Sequence, residues 1–79
     1  MPTVFIVRGF RFFFFSNEGA EPMHVHIEKA EKYAKFWLNP VRLDRNYKFS
    51  SSELRKIREI VQRRKEEIEE KWNEYFRVS

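Results

Sequence analysis

The sequence predicts an α+β fold: a small antiparallel sheet of four to five strands over about residues 3–43, then one long helix over about 51–75 packed on one sheet face. Three observations carry this expectation. Residues 3–43 alternate apolar and polar side chains in short runs separated by Gly, Pro and Asn. Residues 54–76 repeat apolar side chains every three to four positions. Between the two lies Ser50-Ser51-Ser52-Glu53, a helix-start signature.

Thr3–Val7 and Phe10–Phe15 read as strands joined at Arg8-Gly9, with Gly9 supplying the permissive turn residue. In the second strand Arg11, Phe13 and Phe15 share one face, and Phe10, Phe12 and Phe14 the other. Apolar side chains on both faces predict a paired, central strand, because four consecutive Phe on an open edge would promote aggregation. Residues 16–22 form a loop with Gly19, Pro22 and two carboxylates. His24–Lys29 reads as the third strand and Tyr33–Leu38 as the fourth, ended by Asn39-Pro40. Val41–Leu43 is a short fifth strand, and Asp44–Lys48 a polar connection.

In the helix, Ser50 is the expected N-cap, Glu53 its capping-box partner, and Phe49 with Leu54 a hydrophobic staple. Leu54, Ile57, Ile60, Val61, Ile68, Trp72, Tyr75 and Phe76 form one apolar stripe. Glu59–Arg63 and Glu67–Lys71 are spaced to pair on the outer face. Arg64 falls inside the stripe, where such a residue either snorkels to the rim or reaches an acidic partner.

The length of 79 residues predicts one domain, 1–79, with a core small enough for a partner or second copy to add stability. No cysteine is present, which excludes a disulfide framework, a thiolate nucleophile and a cysteine zinc site. The start lacks the basic and apolar regions of a signal peptide, and Phe12–Phe15 is too short to span a bilayer, so a cytoplasmic, membrane-free protein is expected. A net charge of +4 points to nucleic acid or an acidic protein as partner, or serves only to keep an aromatic-rich domain soluble.

The chemistry concentrates at Pro22-Met23-His24-Val25-His26-Ile27-Glu28-Lys29, which holds both histidines of the chain. On a strand, His24, His26 and Glu28 share one face and Val25 and Ile27 the other. If Val25 and Ile27 face the helix, the histidines lie on the uncovered face. Three kinds of chemistry fit. Acid–base work on a phosphodiester would use His24 and His26, with Glu18 or Glu28 orienting a ring, as in a metal-independent ribonuclease without a cofactor. Metal binding would use His24 and His26 with Glu18, Glu21 or Glu28 as third ligand. Nucleic-acid binding would use Arg8, Arg11, Lys29 and Lys35 with neighbouring aromatics. The plain alternative to all three is a pair of strand histidines hydrogen-bonded to acids or carbonyls, with solvated basic groups. Arg8-Gly9-Phe10-Arg11-Phe12-Phe13 overlaps an RNA-recognition-motif pattern but departs at Arg11 and Phe13, and no helix precedes it.

These residues also carry a family resemblance. Pro2–Phe5, Gly9–Glu18 with its Ser16-Asn17-Glu18 block, Glu21–His26, Ala34–Leu38, Pro40-Val41, Phe49-Ser50, Glu53-Leu54 and Ile57 resemble the prokaryotic domain of unknown function 4160 family. Met23 stands where that pattern usually has a second proline. The resemblance implies a small stand-alone protein encoded beside a second small protein, in an arrangement like a toxin–antitoxin pair. It implies no catalytic residue. The function expected first is therefore a component of such a pair that binds or cleaves RNA through the open sheet face. A non-enzymatic protein-interaction module is second and a His-x-His metal-binding domain third. The expected partners are the neighbour-encoded protein, RNA and a second copy of the chain.

Overall fold

The computed structural model describes residues 2–77. Five strands, β1 (Thr3–Val7), β2 (Phe10–Phe13), β3 (His24–Lys29), β4 (Lys32–Leu38) and β5 (Val41–Tyr47), precede two helices, α1 (Ser51–Arg63) and α2 (Lys65–Tyr75). Each strand pairs antiparallel with the next, giving the sheet order β1-β2-β3-β4-β5. The α+β class follows, and among the described residues no helix is long and apolar enough to cross a membrane.

The turns explain the simple meander. Arg8 and Gly9 both have positive φ, 55° and 82°, the backbone of a primed two-residue hairpin turn whose twist matches its strands. Ala30, also at φ 55°, opens the β3–β4 turn. A second copy of the ladder rule sets the faces: Phe12 pairs with Ile27 and Val25 with Phe36, whereas Phe13 pairs with His26 and His24 with Trp37. Phe12, Val25, Ile27, Ala34, Phe36 and Leu38 pack against Ile57, Ile60, Val61, Ile68 and Trp72, so the helices cover the Val25–Ile27 face. Leu54 and Phe76 are partly buried against this core, while Tyr75 is exposed.

Four boundaries differ from the sequence expectation, the smallest being β4, which starts at Lys32 rather than Tyr33. The helix is two helices, not one. Arg64 interrupts it with φ −110° and ψ 23°, closing α1 through its N–H to the Ile60 carbonyl and preceding α2. At this interruption the Arg64 guanidinium lies 3.8 Å from the Phe5 ring centroid and grips Glu67 through two hydrogen bonds. A cation inside an apolar stripe is thus satisfied by an aromatic face and a carboxylate. β5 extends to Tyr47 rather than ending at Leu43, because β4 is long enough to pair with it as far as Tyr33–Tyr47. Its exposed Asp44, Arg45 and Asn46 are the charged and polar side chains that protect an edge strand from further pairing. β2 stops at Phe13, where the chain turns away and Phe14 packs against Trp72, Tyr75 and Phe76. The capping box is formed in full: Glu53 N–H donates to Ser50 Oγ, and Ser50 N–H donates to Glu53 Oε1. Lys32 adds a 2.8 Å ion pair to Glu53, and these donors hold its carboxyl down to about 2.

Candidate functional site

After Phe14, which stays in the helix-side core, the loop between β2 and β3 brings Phe15, Glu18 and Pro22 against the histidines of β3 on the opposite face. Gly19 makes this closure possible, since a Cβ there would lie 2.7 Å from the Phe76 ring at the end of α2. With the loop seated on α2, Glu18 reaches both histidines. Its Oε1 lies 2.8 Å from His24 Nε2 and 2.6 Å from His26 Nε2. The two imidazoles meet edge to face with centroids 4.9 Å apart. His24 is 0% and His26 2% exposed. The expected open face is therefore covered at this point. The alternation placed the rings on the correct side but did not reveal that Phe15, Glu18 and Pro22 of the β2–β3 loop would close on them.

Aromatic rings enclose the cluster. Phe13, Phe15 and Tyr33 surround His26, and Trp37 and Trp72 flank His24. Trp72 belongs to the helix-covered core as well, so it joins the two sides of the sheet. The outer ring nitrogens are also engaged. His24 Nδ1 donates to the Pro22 carbonyl at 2.9 Å, and Tyr33 Oη lies 2.6 Å from His26 Nδ1. No buried side-chain nitrogen or oxygen among the described residues lacks a hydrogen-bond partner.

Electrostatics follow from this burial. Burial pushes the Glu18 carboxyl up, but hydrogen bonds from His26 and His24 and their nearby charge outweigh it, leaving the group below its ordinary range. Burial lowers His26 more than Glu18 raises it, so this ring is neutral at pH 7. Burial and the Glu18 charge raise Tyr33, which keeps its proton and donates it to His26 Nδ1. His26 Nε2–H then donates to Glu18.

The remaining expected site residues are not in the cluster. Glu28 pairs with Arg11 across β2 and β3 at 2.8 Å. Lys35 lies between Glu21 at 3.2 Å and Asp44 at 3.6 Å, with its ammonium 4.4 Å from the Trp37 ring centroid. Lys29 projects over Phe10. Arg8 lies at the β1–β2 turn, in a groove it shares with Val7, Lys56, Glu59, Ile60, Arg63 and Arg64. Sequence reasoning did not bring Tyr33 or Trp72 to the histidines. Tyr33 was reachable in principle, since it pairs with Glu28 and so sits one diagonal step from His26 on the same face.

A protein-family model described as Domain of unknown function (DUF4160) matches residues 9–73, most of the chain. The chain belongs to the DUF4160 family. The DUF4160 match spans the Glu18 loop, both histidines and the helices as far as Asn73. Neither curated proteins nor solved structures gave a match.

Proposed function

We propose that this chain is the RNA-contacting member of a toxin–antitoxin-like pair of small proteins, acting in the cytoplasm, and that it holds RNA in the groove between the β1–β2 turn and α1. One observation carries the reading: Arg8, Lys56 and Arg63 converge on that groove, with Glu59 as the only acid lining it and Arg64, already held by Glu67, at its side. The helices are polarised in the same sense. α1 carries Arg55, Lys56, Arg58 and Arg63 against Glu53 and Glu59, whereas α2 carries Lys65 and Lys71 against Glu66, Glu67, Glu69, Glu70 and Glu74. Phosphate contacts from such a surface bind a backbone without reading its sequence.

The sheet-face version of this reading is less favoured. Arg11 and Lys35 are already paired with carboxylates there, and His24 and His26 would touch phosphate only if the Glu18 loop lifted. The groove needs no rearrangement. Pairing with a neighbour-encoded protein rests on the family resemblance. The acidic outer face of α2 and exposed Tyr75 offer that partner a surface separate from the groove.

Fluorescence anisotropy with single-stranded RNA tests the proposal. Binding through three or four phosphates gives a slope of log affinity against log salt of about −2 to −3. Lys56→Glu with Arg63→Glu should weaken binding more than tenfold with the melting temperature unchanged, and His26→Gln should leave it intact. Absence of binding at low salt, or full binding by the doubly substituted protein, contradicts the groove. Co-purification with the protein encoded beside it tests the pairing.

A further inference from the structure

The hydrogen bonds around Glu18 do not balance if both imidazoles are neutral. The Pro22 carbonyl can only accept, so His24 Nδ1 carries a proton. A neutral His24 then directs the bare lone pair of Nε2 at Glu18 Oε1 from 2.8 Å. His26 has no such conflict, because Tyr33 O–H supplies Nδ1 and Nε2–H faces the carboxylate. Something positive must therefore lie between His24 Nε2 and Glu18. A second proton on His24 meets the need by making a buried ion pair. A metal cation meets it by accepting the lone pairs of both Nε2 atoms and the carboxylate together, once the His26 proton moves from Nε2 to Nδ1 and Tyr33 Oη turns to accept it.

We infer that Glu18, His24 and His26 form a binding site for one divalent transition-metal cation of the zinc class. The donor atoms of these three residues all lie within 4.8 Å of one another. Two imidazole nitrogens and one carboxylate oxygen are a donor set that suits zinc, cobalt or nickel and not magnesium or calcium, which take oxygen ligands. Both Nε2 atoms point at one locus, and both Nδ1 atoms are fixed from behind by the Pro22 carbonyl and Tyr33 Oη. That outer support sets the tautomer and angle of metal-ligating histidines. Phe13, Phe15, Trp37 and Trp72 border the two imidazoles and lower the local dielectric, which strengthens the attraction of the carboxylate for a cation.

The present distances fit the metal-free form. Ligands about 2.0–2.1 Å from a tetrahedral zinc stand about 3.3 Å apart, so Glu18 must withdraw by roughly half an ångström. Glu18 can do so, since it lies on the loop outside the β-ladder and is restrained mainly by the Glu21 N–H bond to its carbonyl and by the neighbouring Gly19–Phe76 contact. Three protein ligands leave a fourth position for water or a partner's side chain, the arrangement of open zinc sites rather than closed structural ones. The site lies across the sheet from the RNA groove, and the inference stands without it.

Isothermal titration of the full chain with zinc chloride, and visible spectroscopy with cobalt chloride, test the inference. The expected result is one ion per chain, cobalt bands of a four- or five-coordinate ion, and no response to magnesium chloride. Tyr33→Phe, which keeps the ring packing, should lower zinc affinity about tenfold or more; Glu18→Gln should lower it further. If a variant fails to fold, nitrogen NMR of the wild-type rings decides: zinc should shift both Nε2 resonances, keep the proton on His24 Nδ1 and move the His26 proton from Nε2 to Nδ1. No stoichiometric zinc binding, unchanged affinity in both variants, or ring nitrogens unmoved by excess zinc overturns the inference and leaves a proton-bridged ion pair.

Discussion

The two faces of β3 are equally buried by different means. Val25 and Ile27 are sealed by helices whose apolar stripe was built for the purpose, and Ile57, Val61 and Ile68 reach 0% exposure there. His24 and His26 are sealed by strand and helix rings together with the β2–β3 loop, of which Ser16, Asn17, Gly19, Ala20, Glu21 and Pro22 are exposed. The first cover is hydrophobic, non-directional and regular in backbone. The second rests on directional bonds from one carboxylate and on the Gly19–Phe76 contact. Burial by a helix stabilises the whole fold, whereas burial by a loop can be released locally while the fold persists. The metal site inferred above lies under the second kind of cover.

The largest effect should come from the helix side. Ile27→Ala, or Ile57→Ala facing it, should lower the unfolding free energy by about 2–5 kcal/mol in urea denaturation, through lost transfer energy and the cavity left behind. Glu18→Ala on the loop side should cost less, about 1–3 kcal/mol, by leaving buried ring nitrogens without their acceptor. Hydrogen exchange sharpens the contrast. Glu18→Ala should speed exchange in residues 14–23 and leave the β3–β4 ladder protected, whereas Ile27→Ala should speed both. Equal loss of protection across the sheet in both variants would remove the distinction between the two covers.

How far the sequence discloses each cover follows the same division. The helix side was legible because periodicity is a local signal: Ile57, Val61, Ile68 and Trp72 all face the core as their spacing required. Ser50 and Glu53 likewise act within four residues of each other. The loop side was legible only as ingredients. The alternation put His24 and His26 opposite Val25, and Glu18 was among the candidate partners, yet nothing local states that one carboxylate oxygen would reach both rings. That depends on Gly19 seating against Phe76, a contact between residues 57 positions apart in the chain. Arg64 shows the limit from the other side: its anomalous place in the stripe was visible, but its partner Phe5 and the resulting break in the helix come from tertiary packing.

Acid should loosen the loop before it unfolds the sheet. His26 is lowered in the folded state, so as pH falls below the ordinary histidine value of 6.5 the unfolded chain takes up a proton that the folded chain refuses, and stability declines. Glu18, also lowered, adds a second loss as pH falls through 4.5 and toward its folded value. Both shifts act in the same direction, and both residues belong to the loop-covered face. Fluorescence of Trp37 and Trp72, which flank His24, should therefore change over this range while the far-ultraviolet circular dichroism of the sheet and helices holds. Coincident transitions by the two probes would mean that the loop has no stability of its own.

The most direct test is an NMR pH titration of the two imidazole rings in metal-free protein. A loop-sealed His26 that donates Nε2–H to Glu18 and accepts from Tyr33 predicts a slowly exchanging Nε2 proton and a titration midpoint below the ordinary histidine value. Glu18→Gln should disturb both signals. A His26 ring that titrates with an ordinary midpoint, exchanges its Nε2 proton freely and ignores Glu18→Gln would place it in solvent and contradict the account.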